Sequence, residues 1–505
     1  MNVAFRVDAS IAIGLGHLMR CLTLADAINE AKIYFICRET QLDLDYYITK
    51  HGHTLITLPD INRTKFQVST LESYKDWLGV SFSEDASDTI DAVAALNIDW
   101  FIVDHYGIDY QWHAMLRPHV QNIMVIDDLA NRRLDCDILV NSALDVDSGD
   151  YRLYIDKPCL FRLGPKYALL RSEYLALREK ALRKRKMYNG VKTLLIFMGG
   201  MDERNYALKV LQLLVKMKGL SIEKIVVVLG KGAPHVDEIN DISREYPVAM
   251  EVLVGVDNMA ELMLQADLSI GSGGTASWER CVLGLPSLVT FIAENQKENI
   301  CQLQARGAVR LWEQLEDLKE IIEDVVSDKS KWYSMFENSI DICDGLGATR
   351  LVDILSMTCR SANAKDVDLL YKWTNDPVVR SSAFKTDMIE RGAHEDWFEK
   401  KLKNNNCLLY IFECNSIPVG QVRFDIIDSV AEISYSVDAN YRGAGIGQII
   451  LWSALKKLKE ESRAIEKIKG QVKTQNIASN KIFNSLGFEC VFSDSERNVY
   501  QRSTL

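Results

Sequence analysis

The chain has 505 residues, which at roughly 100–200 residues per domain predicts about three domains. With 48% hydrophobic and 26% charged residues it reads as an ordinary globular protein, and a net charge of -11 argues against a nucleic-acid partner. Arg6 and Asp8 inside the first apolar run argue against a signal peptide. The apolar stretch 281–293 is too short for a bilayer, so no membrane partner is expected, and eleven cysteines without a CxxC pair fit reduced thiols in a cytoplasm.

Over the first 165 residues, short apolar runs alternate with helical stretches. VAFRVD (3–8), TLITL (54–58), WFIVDHY (100–106), IMVIDD (123–128) and DILVN (137–141) predict strands of a parallel sheet covered on both faces. RSEYLALREKALRKRK (171–186) predicts a charged helix; with Glu173 and Glu179 nearby, its basic run Arg183–Lys186 reads as a solvated face. The alternation restarts with TLLIFMGG (193–200), KIVVVLG (224–230), MEVLVGV (250–256), DLSIGSGG (267–274) and PSLVTFI (286–292). Two such series in tandem predict two Rossmann-like domains across a cleft, residues 1–165 and, with the linking helix, 166–356. From 357 to 505 the pattern changes. Helical segments near 366–375 and 394–404 precede the strands LLYIFEC (408–414) and PVGQVRFDII (418–427), joined by the turn NSIP (415–418). AEISYSVD (431–438), a glycine-rich turn, a helix to about Ser462 and the strand KIKGQVK (467–473) follow, giving a third α/β domain of another class.

GLGH (14–17) raises the first chemical question. Leu18, Cys21, Leu22, Ala25 and Ile28 have the spacing of one buried helix face, so His17 falls in the first turn, just beyond the carboxyl end of strand one. Ligands of open α/β sheets bind there. Gly14 and Gly16 permit a tight turn and a close approach to the backbone. A helix start favours anions over a protonated imidazole, so a neutral His17 is able to act as a base; a histidine capping its own helix is the alternative. Gly199 and Gly200 make the equivalent turn in the second series.

Later, Gly273, Gly274 and Thr275 precede a helix beginning near Ala276, whose free N–H groups suit a diphosphate. Glu279, one turn in, is placed to hold a ribose diol or to pair with the helix dipole. Glu294, Asn295 and Gln296 follow the next strand, as sugar-binding groups or as a polar loop. Asp8, Asp104, His105 and Tyr106 stand at strand ends, where they either orient His17 and a sugar or cap loops. Arg20 is a candidate for diphosphate charge, with a helix-surface role as the alternative. HGH (51–53) lacks further ligands nearby and reads as a turn, so no metal is expected.

The stretches RVDASIAIGLGHLMRCLTLADAI, VDHYGIDYQW, IDDLANRRLDCDILVN, LGPKYALLR and GSGGTASWERCVLGLPSLVTFIAENQ, in this order over about residues 1–356, closely resemble the UDP-sugar hydrolases of pseudaminic acid biosynthesis. The resemblance implies a GT-B arrangement and cleavage of a UDP-linked 2,4-diacetamido-2,4,6-trideoxy-L-altrose. It implies that His17 is the general base, deprotonating the water that attacks the anomeric carbon opposite UDP, with inversion. Donors holding the UDP charge make a strong protein acid unnecessary, and the carboxylate pair usual in glycosidases is not required.

YRGAGIGQIIL (441–451) sets Arg442, Gly443, Gly445 and Gly447 between a strand and a long helix, a loop of backbone N–H groups suited to a pyrophosphate. With NIASNKIFNSLGFE (476–489) it resembles the GNAT acetyltransferases over about residues 357–505. The resemblance implies acetyl-CoA as co-substrate, lying along Ile433, Tyr435 and Val437 and touching Asn476. Gln471 and Phe483 stand where many relatives carry an acidic base and a tyrosine acid; neither can do those jobs. WTNDPVVRSSAF and HEDWFEKKL resemble the acceptor-side helices of GNATs acting on nucleotide-linked aminosugars, which implies a pocket at Trp373, Arg380, His394 and Trp397, with helix packing as the alternative.

The two resemblances join as consecutive reactions: acetylation of a UDP-4-amino sugar, then hydrolysis that frees UDP. The alternatives are an inverting GT-B glycosyltransferase using a UDP-sugar, a hydrolase whose GNAT domain only senses acetyl-CoA, or the same pair acting on another sugar.

Overall fold

The computed structural model describes residues 1–10, 13–40, 42–59, 74–217, 219–246, 248–461 and 465–503; the side chains of Glu245 and Asn295 also lie outside the description. The chain divides into two compact units, Met1–Thr349 and Arg350–Leu505.

The first unit holds two parallel sheets. β1 (Asn2–Val7), β2 (Lys32–Arg38), β3 (Thr54–Leu58), β4 (Trp100–Asp104), β5 (Asn122–Ile126), β6 (Ile138–Asn141) and β7 (Leu160–Leu163) are ordered β3-β2-β1-β4-β5-β6-β7. β8 (Thr193–Phe197), β9 (Lys224–Leu229), β10 (Ala249–Val254), β11 (Leu268–Ser272), β12 (Ser287–Thr290) and β13 (Val309–Leu311) are ordered β10-β9-β8-β11-β12-β13. In each sheet the strand order reverses beside the first strand, at β1/β4 and at β8/β11, which leaves a crevice above the carboxyl ends. The buried runs of β1, β4 and β5 account for their interior position, since both faces carry helices.

Contacts between the two lobes join segments that follow carboxyl ends of strands. Leu144 N–H, after β6, donates to Asn299 Oδ1, after β12, at 2.9 Å, and Arg306 pairs with Asp145. Lys50, after β2, lies 3.6 Å from Asp257, after β10, and Lys231 Nζ sits 5.5 Å from the Tyr46 ring centroid. The two sheets therefore turn their carboxyl ends toward one another, the arrangement expected of two Rossmann-like domains in a GT-B fold.

The second unit is a mixed sheet. β14 (Met357–Ser361), β15 (Cys407–Cys414), β16 (Ile417–Ile427), β17 (Val430–Val437), β18 (Lys467–Lys473), β19 (Glu489–Ser493) and β20 (Arg497–Ser503) are ordered β14-β15-β16-β17-β18-β20-β19, antiparallel except for the parallel pair β17/β18. That pair runs only from Val430↔Lys467 to Ile433↔Gly470, and beyond it the two strands part. The long helix Ile446–Glu460 follows the glycine loop; Ser462, near its expected end, lies outside the described residues.

The basic run of helix Ser172–Lys186 is partly taken up inside the protein. Lys184 Nζ donates to Gln265 O (2.6 Å) and Asp267 Oδ1 (2.8 Å), and the buried Arg185 donates to Met263 O. No helix among the described residues is long and apolar enough to cross a membrane.

Candidate active site

β1 delivers the chain to the switch point, and the turn after it starts helix Gly16–Ala27. Gly14 has φ +80°, a left-handed conformation that a side chain would strain. A Cβ at Gly14 or Gly16 would meet nothing within 4 Å, so the loop faces open space, and no side chain caps the helix. His17 does not cap its own helix. Its Nδ1 lies 2.6 Å from Asp104 Oδ1, at the end of β4.

Arg20, one turn further on, reaches the same carboxylate with Nε (2.5 Å) and Nη2 (2.6 Å), and reaches Asp128 Oδ2 with Nη1 (2.6 Å). The Tyr106 hydroxyl donates to that same Asp128 oxygen at 2.7 Å. Burial alone would raise the Asp104 carboxyl, but the Arg20 guanidinium and His17 outweigh it and hold it well below the ordinary range. An ionised carboxylate only accepts, so the 2.6 Å contact assigns the His17 proton to Nδ1, which Arg20 Nη2 also approaches, to 3.2 Å. In that tautomer Nε2 holds the lone pair, and it makes no hydrogen bond among the described residues. The imidazole is 11% exposed. Tyr106 (4.6 Å) and Trp77 (5.6 Å) stand edge-on to it, and Trp77 stacks on Tyr106.

Behind this group lies a buried ionic floor. Arg6 binds Asp8 through Nη1 (2.6 Å) and Nη2 (2.9 Å), and binds Asp85 through Nε (3.1 Å) and Nη2 (2.7 Å). Arg38 and Trp112 also donate to Asp85. His105 accepts from Gly107 N–H at Nδ1, which puts its proton on Nε2, 3.2 Å from Asp8 Oδ2 but without hydrogen-bond alignment. Burial pushes the His105 pKa down, against the pull of Asp8. Asp8 and His105 thus sit in the floor rather than against His17. Arg20, a candidate for diphosphate charge, is committed to two carboxylates instead.

In the second lobe, Gly199 (φ +93°) and Gly200 end β8, and Gly230 N–H donates to Gly200 O at 2.9 Å. Gly273 and Gly274 (φ +103°) lead into helix Thr275–Val282, which has no side-chain cap. A Cβ at Gly273 would lie 2.4 Å from Ile300, and one at Gly274 would lie 3.5 Å from Gln296 Nε2. Gln296 therefore joins the glycine turn, and its Oε1 accepts from Ile292 N–H. Glu279 is half-buried beside Arg171 and Tyr174, with its carboxyl raised by burial against the pull of Arg171. Glu294 is exposed. The side chain of Asn295 lies outside the described residues.

In the second unit, Gly443 (φ +81°) and Gly445 (φ +79°) are left-handed, a Cβ on either would meet nothing within 4 Å, and helix Ile446–Glu460 lacks a side-chain cap. The loop's free N–H groups and the parting of β17 from β18 fit a pyrophosphate and its extended arm. Gly447 packs under Tyr435 and Ile482. Arg442 turns away from the loop's open side, to Asp376 (2.7 Å) and Val437 O (3.1 Å). The Asn476 side-chain oxygen caps its own helix at Ser479 N–H. Ile433 is buried and Val437 half-buried; Tyr435 bonds Ser479 Oγ at 2.8 Å.

Trp373 and His394 do not line an opening. Both are 2% exposed, with Trp373 donating to Asp438 and His394 Nε2 held at Val367 O, because an aromatic cluster fills this end of the core. Trp397 is half-buried under Arg423, and Arg380 bonds the carbonyls of Lys385 and Asp387.

His51 and His53 both bond Asp26, at 2.7 and 2.9 Å. No group of three or more His, Cys, Asp or Glu arranged for a metal occurs among the described residues.

Asp128 and Trp77 were not singled out from the sequence. Asp128 had a signal, the second acid of IDD at a strand's carboxyl end; Trp77 comes from a distant segment and had none.

Comparison with known proteins adds a separate line of support. Residues 357–489 match the model of the acetyltransferase (GNAT) domain, and residues 193–345 match that of the glycosyltransferase family 28 C-terminal domain. An uncharacterized protein of Methanocaldococcus jannaschii is 24% identical over 97% of both chains. The spore coat polysaccharide biosynthesis protein SpsG of Bacillus subtilis is 22% identical over 70% of this chain and 98% of its own. A UDP-2,4-diacetamido-2,4,6-trideoxy-beta-L-altropyranose hydrolase of Campylobacter jejuni is 24% identical over 61% of this chain and 97% of its own. The chain thus carries an acetyltransferase domain after a glycosyltransferase-like domain, with distant kinship to sugar-nucleotide enzymes.

Proposed function

We propose that the chain is a bifunctional nucleotide-sugar enzyme of pseudaminic acid biosynthesis. The second unit acetylates the 4-amino group of a UDP-4-amino-4,6-dideoxy-AltNAc sugar. The first unit then hydrolyses UDP-2,4-diacetamido-2,4,6-trideoxy-L-altrose to free sugar and UDP. The observation that carries the reading is His17 itself: Nδ1 locked to an ionised Asp104, Nε2 unengaged, on an open glycine turn at the switch point.

In this reading His17 Nε2 takes a proton from water as the oxygen attacks C1. The C1–O bond to UDP breaks and its electron pair leaves with the diphosphate. Asp104 stabilises the imidazolium that results. The uncapped N–H groups of Thr275–Val282, behind Gly273 and Gly274, offset the charge on the leaving group, and Glu279 holds the ribose. In the second unit the Gly443–Gly447 loop binds the pyrophosphate of acetyl-CoA, which supplies the acetyl group. The kinship with the altropyranose hydrolase and the GNAT match support this pairing.

The glycosyltransferase family 28 match favours a second reading, an inverting transferase with a sugar acceptor in place of water.

Purified protein given UDP-4-amino-4,6-dideoxy-L-AltNAc, with and without acetyl-CoA, and followed by NMR and mass spectrometry, separates these readings. Free diacetamido sugar appearing only with acetyl-CoA, and with no added acceptor, is the expected result. Binding of acetyl-CoA without acetyl transfer would leave the second unit a sensor, and sugar release that depends on an added glycan would favour the transferase.

A further inference from the structure

We propose that Asp128 is a specificity-determining carboxylate of the first site, accepting a hydrogen bond from a ring donor, hydroxyl or acetamido N–H, of the sugar bound beside His17. This rests on the hydrolase reading and names the group that selects its sugar.

The β4/β5 register, which ends at Val103↔Val125, carries Tyr106 and Asp128 to the same level above the sheet. Both donors to the Asp128 carboxylate, Arg20 Nη1 at 2.6 Å and Tyr106 OH at 2.7 Å, go to Oδ2. Oδ1 accepts no hydrogen bond among the described residues, although the side chain is 25% exposed and fixed in place. A carboxylate held by one oxygen with the other open is an oriented acceptor.

Arg20 also fixes the spacing. The same guanidinium holds Asp104, and Asp104 Oδ1 holds His17, so the base and the open oxygen hang from one rigid group. The charges point the same way. Asp104 and Asp128 against Arg20 leave one net negative charge, which repels a diphosphate and favours neutral donors of a sugar. The half-buried Trp77, stacked on the buried Tyr106, adds an apolar ring beside the histidine for the C–H face of a sugar.

The test compares Asp128→Asn with the parent enzyme. Asparagine keeps an oxygen for Arg20 and Tyr106 but presents an N–H₂ donor where Oδ1 was. The substrates are UDP-2,4-diacetamido-2,4,6-trideoxy-L-altrose and three analogues, N-methylated at either acetamido group or O-methylated at the 3-hydroxyl. The parent enzyme is expected to discriminate against one analogue by about 10- to 100-fold in kcat/KM, and Asp128→Asn to lose that discrimination. Calorimetric binding of UDP alone should be unchanged in the variant. If Asp128→Asn slows all four substrates equally, Asp128 only anchors Arg20 and the proposal is wrong. If the parent enzyme binds UDP but releases none from any of the four, the hydrolase reading fails and takes this inference with it.

Discussion

A histidine acts as a base only when something decides which nitrogen carries its proton, and here Asp104 decides it. Asp104→Asn offers Nδ1 an amide instead of an anion. On the proposed reading, UDP release should fall by about 10²- to 10⁴-fold with UDP binding retained. His17→Asn should stop the sequence at the acetylated nucleotide sugar, which mass spectrometry would detect; release at the parent rate would remove His17 from the mechanism. His113 gives a pH prediction at the same scale. It is buried, its Nε2 has no partner, and burial pushes its pKa down from 6.5 to about 3. The unfolded chain therefore binds a proton that the folded chain refuses. The stability tied to this group is complete above pH 6.5 and is lost as pH falls toward 3. His113→Leu should flatten the dependence of the urea midpoint on pH across this window by up to about one proton.

Elements rather than single side chains build the proposed anion sites. The turns at Gly14, Gly274 and Gly445 each open a helix without a side-chain cap, so donors that would otherwise be met by a cap stay available. Gly445→Glu places a carboxylate at the start of helix Ile446–Glu460, in a left-handed position, and should abolish acetyl-CoA binding by calorimetry while sparing hydrolysis of an already acetylated substrate. Gly230 has a different duty. A Cβ there would stand 2.2 Å from Gly200 O, so Gly230→Ala should cost about 1–3 kcal/mol in thermal unfolding and disturb the Gly199–Gly200 turn. β2, β7 and β13 escaped the sequence reading, and each carries an arginine, Arg38, Arg162 and Arg310. In the fold, Arg38 is drawn into the buried floor by Asp85, which no local pattern signals. β14, β19 and β20 are polar, being peripheral strands of a mixed sheet with a solvated face.

For the whole molecule, two compact units with separate sheets predict separable activities. A mixture of His17→Asn and Gly445→Glu proteins should convert the amino sugar to free sugar, since each variant retains the step the other lacks. Persistence of the acetylated intermediate in the mixture would count against this. What the sequence determined alone was whatever depends on neighbours in the chain. The βα alternation, the glycine turns and the helix face behind His17 were legible because period and turn chemistry act over a few residues. The tertiary structure alone decided which side chains meet. Asp104 came to His17, Arg20 to two acids instead of a phosphate, Trp77 to the ring of Tyr106, and Trp373 and His394 to the core. Those outcomes rest on contacts between residues far apart in the chain. They are set by how buried charges find partners and how rings fill space, and such choices are made only when the whole fold closes.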